Sequence, residues 1–190
     1  MRDTDVDYAS VIITRAEAGI NSLSDLRGRT LALGSRDSGH AAMLPLRYLK
    51  QEGIDWQKDL TLRRFDLYFC KHGDTGASES AVLAAVTSGE ADDGAVGDPF
   101  WFRVLEERQV DQDRMRPLWA TTTYHHCNFT VLDSLDESRT SPWVDALLRM
   151  DYNNPQHRPL LEMEGLKRCA PAQIEGYKTL FEAVEEQGVS

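Results

Sequence analysis

Short apolar runs recur along the first part of the chain and are separated by segments with helical spacing. Runs at residues 11–14, 30–33 and 91–96 predict buried strands, and residues 61–65 predict a more weakly marked one. Strands that alternate with helices are typical of an α/β protein. We therefore predict a parallel α/β sheet up to about residue 110.

Helix signals lie between these strands. Residues 22–26 predict a single helical turn, and a longer helix following residue 40 is expected to end near Gly53. Residues 78–88 predict a helix that ends at Gly89, with Val82, Ala85 and Val86 on its inner face. The pair Asp98-Pro99 has the order of an N-cap followed by a first-turn proline, so it predicts the start of another helix.

The pattern changes near Pro117. Residues 118–124 and 128–132 predict two strands around the polar residues 124–127. Ser141-Pro142 predicts the start of a helix, and Asn154-Pro155 predicts the start of another that ends at Gly165. Tyr177, Leu180, Phe181 and Val184 have the spacing of a last helix.

Composition narrows the classes of function. The net charge is −10 and the isoelectric point is near 4.9, which argues against nucleic acid as a partner because such binding needs a basic face. No apolar run reaches the roughly 18 residues of a membrane span, and the polar start of the chain predicts no signal peptide. Cys70, Cys127 and Cys169 are widely spaced, so we expect free thiols, with one disulfide as the alternative in an extracytoplasmic protein.

The turn after the second strand is the strongest candidate for a binding site. Residues 34–39 are small, polar or glycine, and they lead directly into a helix. Free backbone N–H groups and a helix N-terminus suit an anion, to which Ser35 and Arg36 would add a hydroxyl and a charge-assisted contact. The alternative is a simple N-cap by Asp37 or Ser38, with His40 as a solvent-exposed residue at the helix start.

The sequence of residues 22–54 resembles the second lobe of solute-binding proteins for phosphate, phosphite and phosphonate. It reads SLSDLRGRTLALGSRDSGHAAMLPLRYLKQEGI. Residues 89–98, GEADDGAVGD, resemble the same family. When the turn is aligned on Pro45, Ser38 matches the start of the family's Ser-Thr-Ser-Gly motif, whereas Gly39, His40 and Ala41 depart from it.

The resemblance implies the α/β fold of the type II periplasmic binding proteins, in which two lobes joined by crossing strands close on a ligand. It places a complete α/β lobe at residues 10–116. Residues 1–9 and 117–190 would form crossing strands and the C-terminal part of the other lobe. Because the family's opening segment has no counterpart here, we expect one complete and one partial lobe. An exposed sheet edge would follow, and with it a tendency to form a homodimer.

The resemblance also implies a set of ligand-binding residues. Backbone or side-chain donors to the anion would come from the turn, His72 and Tyr124 would orient the ligand, and Asp98 would meet a donor or an amine. The predicted ligand-binding residues are Ser35, Arg36, Ser38, Gly39, His40, His72, Asp98, Thr123 and Tyr124. Asp74 and Glu79 add negative charge, which suggests a zwitterionic or cationic solute.

The run His125-His126-Cys127 raises a metal alternative, because imidazole and thiolate suit zinc. In a strand, only His125 and Cys127 would share a side, and His72, Asp74 and one of these could complete a site in space. The leading prediction has no metal site and no cofactor.

The glycine and histidine motifs of common enzyme families are absent from the sequence. We therefore predict a non-enzymatic solute-binding component that binds a small anion or zwitterion for an ABC transporter permease. Its location would be periplasmic by resemblance. The alternatives are an enzyme of the same fold that uses His72 and Asp74 as acid and base, and a truncated sensory or partner-binding module.

Overall fold

The computed structural model describes residues 1–67 and 76–188, which form two compact units. Unit 1 comprises Met1–Tyr8 and Thr123–Lys178, and unit 2 comprises Ala9–Thr122 and Thr179–Ser190. The predicted boundaries at residues 10–116 and 117–190 remain predictions of the family's lobes. None of the helices within the described residues is long and apolar enough to cross a membrane.

Unit 2 contains a five-stranded sheet in the order β3-β2-β4-β1-β5. Its strands are β1 (Ser10–Arg15), β2 (Thr30–Leu33), β3 (Thr61–Arg64), β4 (Asp93–Gly97) and β5 (Met115–Ala120). The strands β3, β2 and β4 are parallel, whereas β1 is antiparallel to both β4 and β5. The predicted parallel sheet is therefore wrong for β1, because only short 3-10 turns and no crossover helix separate β1 from β2.

The α-helices begin and end as follows: α1 (Leu44–Gln51), α2 (Trp56–Asp59), α3 (Ala77–Ser88), α4 (Asp98–Glu106), α5 (Glu137–Leu148), α6 (Arg158–Met163) and α7 (Lys178–Gln187). A π-helical turn, Gly39–Met43, runs directly into α1, and 3-10 turns include Leu23–Leu26 and Ile174–Tyr177. Gly89 ends α3 in the left-handed conformation, as the sequence predicts.

The strands β1, β2 and β4 of unit 2 are buried on both faces. Val11, Ile13 and Ala32 face a cluster that includes Val82, Val86, Trp101 and Val104 from α3 and α4. Ile12, Leu31 and Leu33 belong to the opposite cluster, which includes Leu46 and Leu49 of α1. Successive strand residues point to opposite faces, so each apolar run supplies two layers of core at once.

Unit 1 is less regular, and here several predictions were wrong. Residues 128–132 form no strand, and Val131 and Leu132 are exposed. Helix α5 begins at Glu137 because the Asp136 carboxylate caps it by accepting from the N–H of Ser138, so Pro142 lies inside the helix.

The helix predicted to begin at Asn154-Pro155 also starts later. The Asn154 side chain accepts a hydrogen bond from the N–H of Gln156 within a turn, and α6 begins only at Arg158. Gly165, with a φ of 66°, follows soon after this helix, as expected. Neither Cys127 nor Cys169 forms a disulfide within the described residues, and Cys70 lies outside them.

Candidate functional site

Three parallel strands of unit 2 end at the same edge of the sheet. The turn from Gly34 to Ser38 follows β2, Asp66 follows β3, and Asp98 follows β4. Ligands of open α/β sheets bind outside the carboxyl ends of the strands, particularly where helices begin. This carboxyl edge is therefore the candidate site.

The turn after β2 is held by its own backbone. The N–H of Ser38 donates to the carbonyl of Ser35 at 2.8 Å, and the N–H of Gly34 donates to the carbonyl of Ala41 at 3.0 Å. A Cβ atom on Gly34 would lie 2.7 Å from the Cβ of Ala41, closer than such atoms approach. Glycine at position 34 thus allows the strand to pass tightly against the following helix.

Ser38 is the N-cap of the helical segment 39–51. Its hydroxyl oxygen accepts a hydrogen bond from the N–H of Ala41 at 3.1 Å, whereas the Asp37 carboxylate accepts from the Ser35 hydroxyl at 2.5 Å. Of the two capping residues that the sequence allows, Ser38 is the one that caps. Gly39 is the first residue of the π-helical turn, and the N–H groups of a first helical turn lack partners inside the helix.

Arg36 pairs with Asp66 across the edge. Its Nε and Nη2 lie 3.1 and 2.6 Å from Oδ2 of Asp66, and its backbone N–H donates to Oδ1 at 2.8 Å. The side-chain hydrogen bond from Arg36 is the main reason that the pKa of Asp66 is lowered. An anion at the turn would therefore share the guanidinium with a carboxylate that already holds it.

His40 and Glu79 are buried together beneath the turn. His40 is 2% exposed, so the alternative of a solvent-exposed helix-start histidine is wrong. Its Nε2 lies 3.5 Å from Oε1 of Glu79, which accepts the N–H of Gly97 at 2.7 Å. The two side chains link the starts of three helices, which explains why Glu79 is not a surface acid.

Sequence reasoning missed Ser78. This residue is 5% exposed and lies in the first turn of α3, with its Oγ 3.4 Å from the Cβ position of Gly34. A serine two residues after the left-handed Gly76 at a helix start was the available signal. His72 and Asp74, which were predicted for this part of the chain, lie outside the described residues.

Asp98 is the first residue of α4, and Gly97 precedes the helix as its N-cap residue. The predicted N-cap role of Asp98 is therefore wrong. Its Oδ1 accepts the N–H of Ala9 at 2.9 Å, and its own N–H donates to the carbonyl of Ala9 at 2.9 Å. Asp98 stays half-buried at the edge, while Phe100 and Trp101 pack in the core.

Thr123 and Tyr124 belong to unit 1. Thr123 is exposed, whereas Tyr124 is 3% exposed and forms an antiparallel bridge with Tyr8. Their rings meet edge to face at 5.9 Å between centroids. Tyr124 thus has a packing role that the sequence pattern did not indicate.

The structure does not pair His125 with Cys127. Residues 125–130 are not a strand, so side chains do not alternate, and Cys127 Sγ lies 3.0 Å from Nδ1 of His126 instead. The Nδ1 atom of His125 lies 3.1 Å from the carbonyl of Gln173. The histidine that the metal alternative selected is therefore the wrong one of the two.

Residues 2–177 match the family described as "ABC transporter, phosphonate, periplasmic substrate-binding protein". A curated relative, the probable ABC transporter phosphite binding protein PhnD1 of Prochlorococcus marinus (strain MIT 9301), is 24% identical over 191 aligned positions. The alignment covers 95% of this chain and 61% of the relative, so the chain spans about three fifths of that protein's length.

Two solved structures share the fold. PhnD1 from Prochlorococcus marinus (MIT 9301) in complex with methylphosphonate aligns with a TM-score of 0.78 at 22% identity, over 99% of this chain and 70% of that one. XAC2383 from Xanthomonas citri bound to ATP aligns with a TM-score of 0.76 at 21% identity, over 100% and 71%. The type II α/β fold predicted from the sequence is confirmed. The chain belongs to the family of periplasmic phosphonate substrate-binding proteins of ABC transporters.

Proposed function

We propose that this chain is a periplasmic solute-binding component that delivers a small phosphonate or phosphite to an ABC permease. The oxyanion would bind at the carboxyl edge of unit 2. The observation that carries the proposal is the turn from Gly34 to Ser38, which presents hydroxyls and a helix start where three parallel strands end. Family membership suggests the class of ligand, and the carboxyl edge offers hydrogen-bond donors that suit an oxyanion.

The donors at this edge are suited to oxygen atoms that carry negative charge. The N–H of Gly39 belongs to the first turn of the helical segment 39–51, whose dipole places about half a positive charge at that end. The Ser38 hydroxyl accepts its capping bond, so its own proton is left to donate to a ligand. Ser35 would exchange its bond with Asp37 for one to the ligand.

Charge at the edge favours a solute that is not purely anionic. Asp37 lies within the turn, Asp98 follows β4 at the same edge of the sheet, and Arg36 is held by Asp66. A carboxylate near an oxyanion raises the cost of binding unless the ligand carries a proton or an amine. We therefore extend the proposal to zwitterionic phosphonates, with the amine meeting Asp98.

Four of the predicted ligand residues stay predictions, and His40 differs from the others in its expected role. The other three are His72, Thr123 and Tyr124. His40 acts through the buried Glu79 that it approaches, and it would position the turn rather than touch the solute. Separate substitutions test the roles of Thr123, Tyr124 and His72. The ligand Kd is measured for each variant whose stability is unchanged.

Titration calorimetry and thermal melts with phosphite, methylphosphonate, an aminoalkylphosphonate, phosphate and sulfate test the proposal. A ligand at about a hundred times its Kd adds roughly 2.7 kcal/mol to the free energy of unfolding. We expect stabilisation by the phosphonate or phosphite group and none by sulfate. A cooperatively melting protein that none of these oxyanions stabilises would refute the proposal.

Two serine variants locate the binding. Ser35→Ala should weaken phosphonate binding roughly tenfold or more, since hydrogen bonds to charged groups are worth about 1.5–3 kcal/mol. Ser24→Ala, an exposed serine in the 3-10 turn Leu23–Leu26, should leave the Kd unchanged. Equal losses in both variants would place the oxyanion elsewhere.

Binding without turnover completes the proposal, in keeping with the binding proteins to which the chain is similar. Phosphorus NMR of each phosphonate after prolonged incubation should show the starting compound alone. A new phosphorus signal that grows with protein concentration would favour the enzyme alternative.

A further inference from the structure

A second cluster of reactive side chains lies in unit 1, whereas the turn proposed for the oxyanion lies in unit 2. The Asp5 carboxylate, the His126 imidazole and the Cys127 thiol have ligand atoms that all lie within 4.8 Å of one another. Nδ1 of His126 lies 3.0 Å from Cys127 Sγ and 3.4 Å from Oδ1 of Asp5. Residues at positions 5, 126 and 127 thus converge through the fold.

The cluster is held in place by its neighbours. Arg2 donates two hydrogen bonds to Asp5, at 2.6 and 2.9 Å, and the ring of Tyr8 stacks on His126 at 4.2 Å between centroids. The N–H of His126 donates to the carbonyl of Asp5 at 3.0 Å. Such outer contacts orient the ligands of metal sites, and here they leave the cluster little conformational freedom to lose.

Burial separates this cluster from an ordinary acidic surface patch. The side chain of Asp5 is 1% exposed and that of His126 is 17% exposed, whereas Cys127 is exposed. Burial opposes ionisation of Asp5, but the hydrogen bonds from His126 and Arg2 outweigh it and lower its pKa. The carboxylate is therefore oriented by Arg2 and lies in one cluster with an exposed thiol.

The nitrogen–oxygen distance suits a tetrahedral ion. With zinc bonds of about 2.0–2.1 Å to nitrogen and oxygen and about 2.3 Å to sulfur, neighbouring nitrogen and oxygen ligands lie about 3.4 Å apart, and nitrogen and sulfur about 3.5 Å. The nitrogen–oxygen separation already has this value at 3.4 Å. The nitrogen–sulfur separation of 3.0 Å must open by about half an ångström.

We propose that Asp5, His126 and Cys127 bind a divalent zinc-type ion. The three side chains fill three positions of a tetrahedron, and water takes the fourth. On binding, the imidazole of His126 takes the neutral tautomer with its proton on Nε2, the thiol proton of Cys127 leaves to solvent, and the ion meets a free Nδ1 and a thiolate. Arg2 keeps its bonds to Asp5 and orients the carboxylate.

Cobalt(II) and zinc(II) added to the full chain test the site. Cobalt should produce the near-ultraviolet thiolate-to-cobalt charge-transfer band together with the visible bands of a tetrahedral ion. Zinc should abolish both bands at one equivalent. Cys127→Ser should remove the charge-transfer band, and His126→Ala should weaken zinc binding at least tenfold in competition with a chromophoric chelator.

Matched variants keep the test sharp. Cys169→Ser and His125→Ala change the same residue types in the same unit and should keep the spectrum and the affinity, as should Cys70→Ser. Because Asp5 is buried, Asp5→Asn is compared only after circular dichroism confirms that it folds. A charge-transfer band that survives Cys127→Ser, or no band in the parent protein, would overturn the proposal. Oxyanion binding at unit 2 is measured separately, so either proposal can fail alone.

Discussion

The two units treat their apolar side chains differently. In unit 2 both faces of the sheet are covered, and Ile12, Leu31 and Leu33 are at most 1% exposed. In unit 1, helix α5 has no buried residue within the described chain, and Leu132 and Met163 are each 77% exposed. Two-sided burial makes unit 2 the source of most of the stability, while unit 1 offers unpartnered apolar surface.

The units also differ in how they hold a buried carboxyl group. Burial raises the pKa of Asp93 in unit 2 to about 6, although Thr14 across the strand favours its ionised form. In unit 1, Arg2 and His126 hold the pKa of Asp5 below its ordinary value despite burial. The ionised form of Asp93 therefore destabilises the folded state, whereas the ionised form of Asp5 stabilises it.

Cavity formation should distinguish the units most strongly. Ile12→Ala in unit 2 should cost about 2–5 kcal/mol, because Ile12 is fully buried and its removal leaves a cavity. Ile174→Ala in unit 1 should cost at most about 0.5 kcal/mol, since Ile174 is 66% exposed. Urea denaturation followed by tryptophan fluorescence measures both, because Trp143 lies in unit 1 and the other three tryptophans lie in unit 2. Similar costs for the two isoleucines would remove the contrast between the units.

Acid should act on the units in opposite directions. Because the folded-state pKa of Asp93 is about 6 against a reference of 3.8, its stabilising protonated form is lost as the pH rises between these values. Asp93→Asn should therefore raise stability above pH 6, by up to about 3 kcal/mol, and flatten the pH dependence between 4 and 6.

The support from Asp5 has the reverse sign. Its pKa is lowered, so its contribution is present above its unfolded-state pKa and is lost only as the pH falls through the folded value. Hydrogen exchange resolved by unit at pH 7 and pH 5 measures how the protection of each unit changes with pH. Faster exchange of the unit 2 core at pH 5 than at pH 7, after correction for intrinsic rates, would contradict the assignment to Asp93.

The strands and helices of unit 2 were predictable because each pattern has a single physical source there. The runs that became β2 and β4 are buried on both faces, and Gly89 ends α3 where the apolar spacing stops. The direction of β1 was not predictable, because the hydrophobic pattern indicates that a strand is buried but not whether it runs parallel or antiparallel to its neighbours. Residues 128–132 show the reverse error, because their β-branched pattern has no partner strand in the described chain.

The candidate site was predictable only as a segment. The turn after β2 could be located from its glycines and serines, and Ser38 was one of two named caps. The pairing of Arg36 with Asp66 depends on the register of β2 and β3, which the sequence does not reveal. The burial of His40 and the approach of Ser78 to Gly34 likewise arise from packing between segments.

Overpacking offers a smaller test of the same contrast. A Cβ on Gly94 in unit 2 would lie 2.5 Å from Val82 Cγ1 and 2.8 Å from Val86 Cγ2, so Gly94→Ala should cost about 1–3 kcal/mol. Gly165 in unit 1 has open space around its Cβ position but a φ of 66°, so Gly165→Ala should cost about 1 kcal/mol through its backbone. Double-variant denaturation with Val82→Ala should recover part of the Gly94 cost and none of the Gly165 cost. If Val82→Ala recovers none of the stability lost in Gly94→Ala, helix α3 shifts to make room for the added Cβ.

The smallest effect on stability concerns the exposed surface of unit 1. Leu132→Ser should change the free energy of unfolding by at most about 0.5 kcal/mol, because this side chain is largely in water already. We expect it to reduce self-association, since Phe129, Val131 and Trp143 extend the apolar surface around the same part of the chain. Phe102→Ser in unit 2, where the side chain is 58% exposed on α4, is the matched control. Sedimentation velocity over a range of concentrations measures the effect, and equal association by the parent protein and Leu132→Ser would mean that unit 1 needs no partner surface.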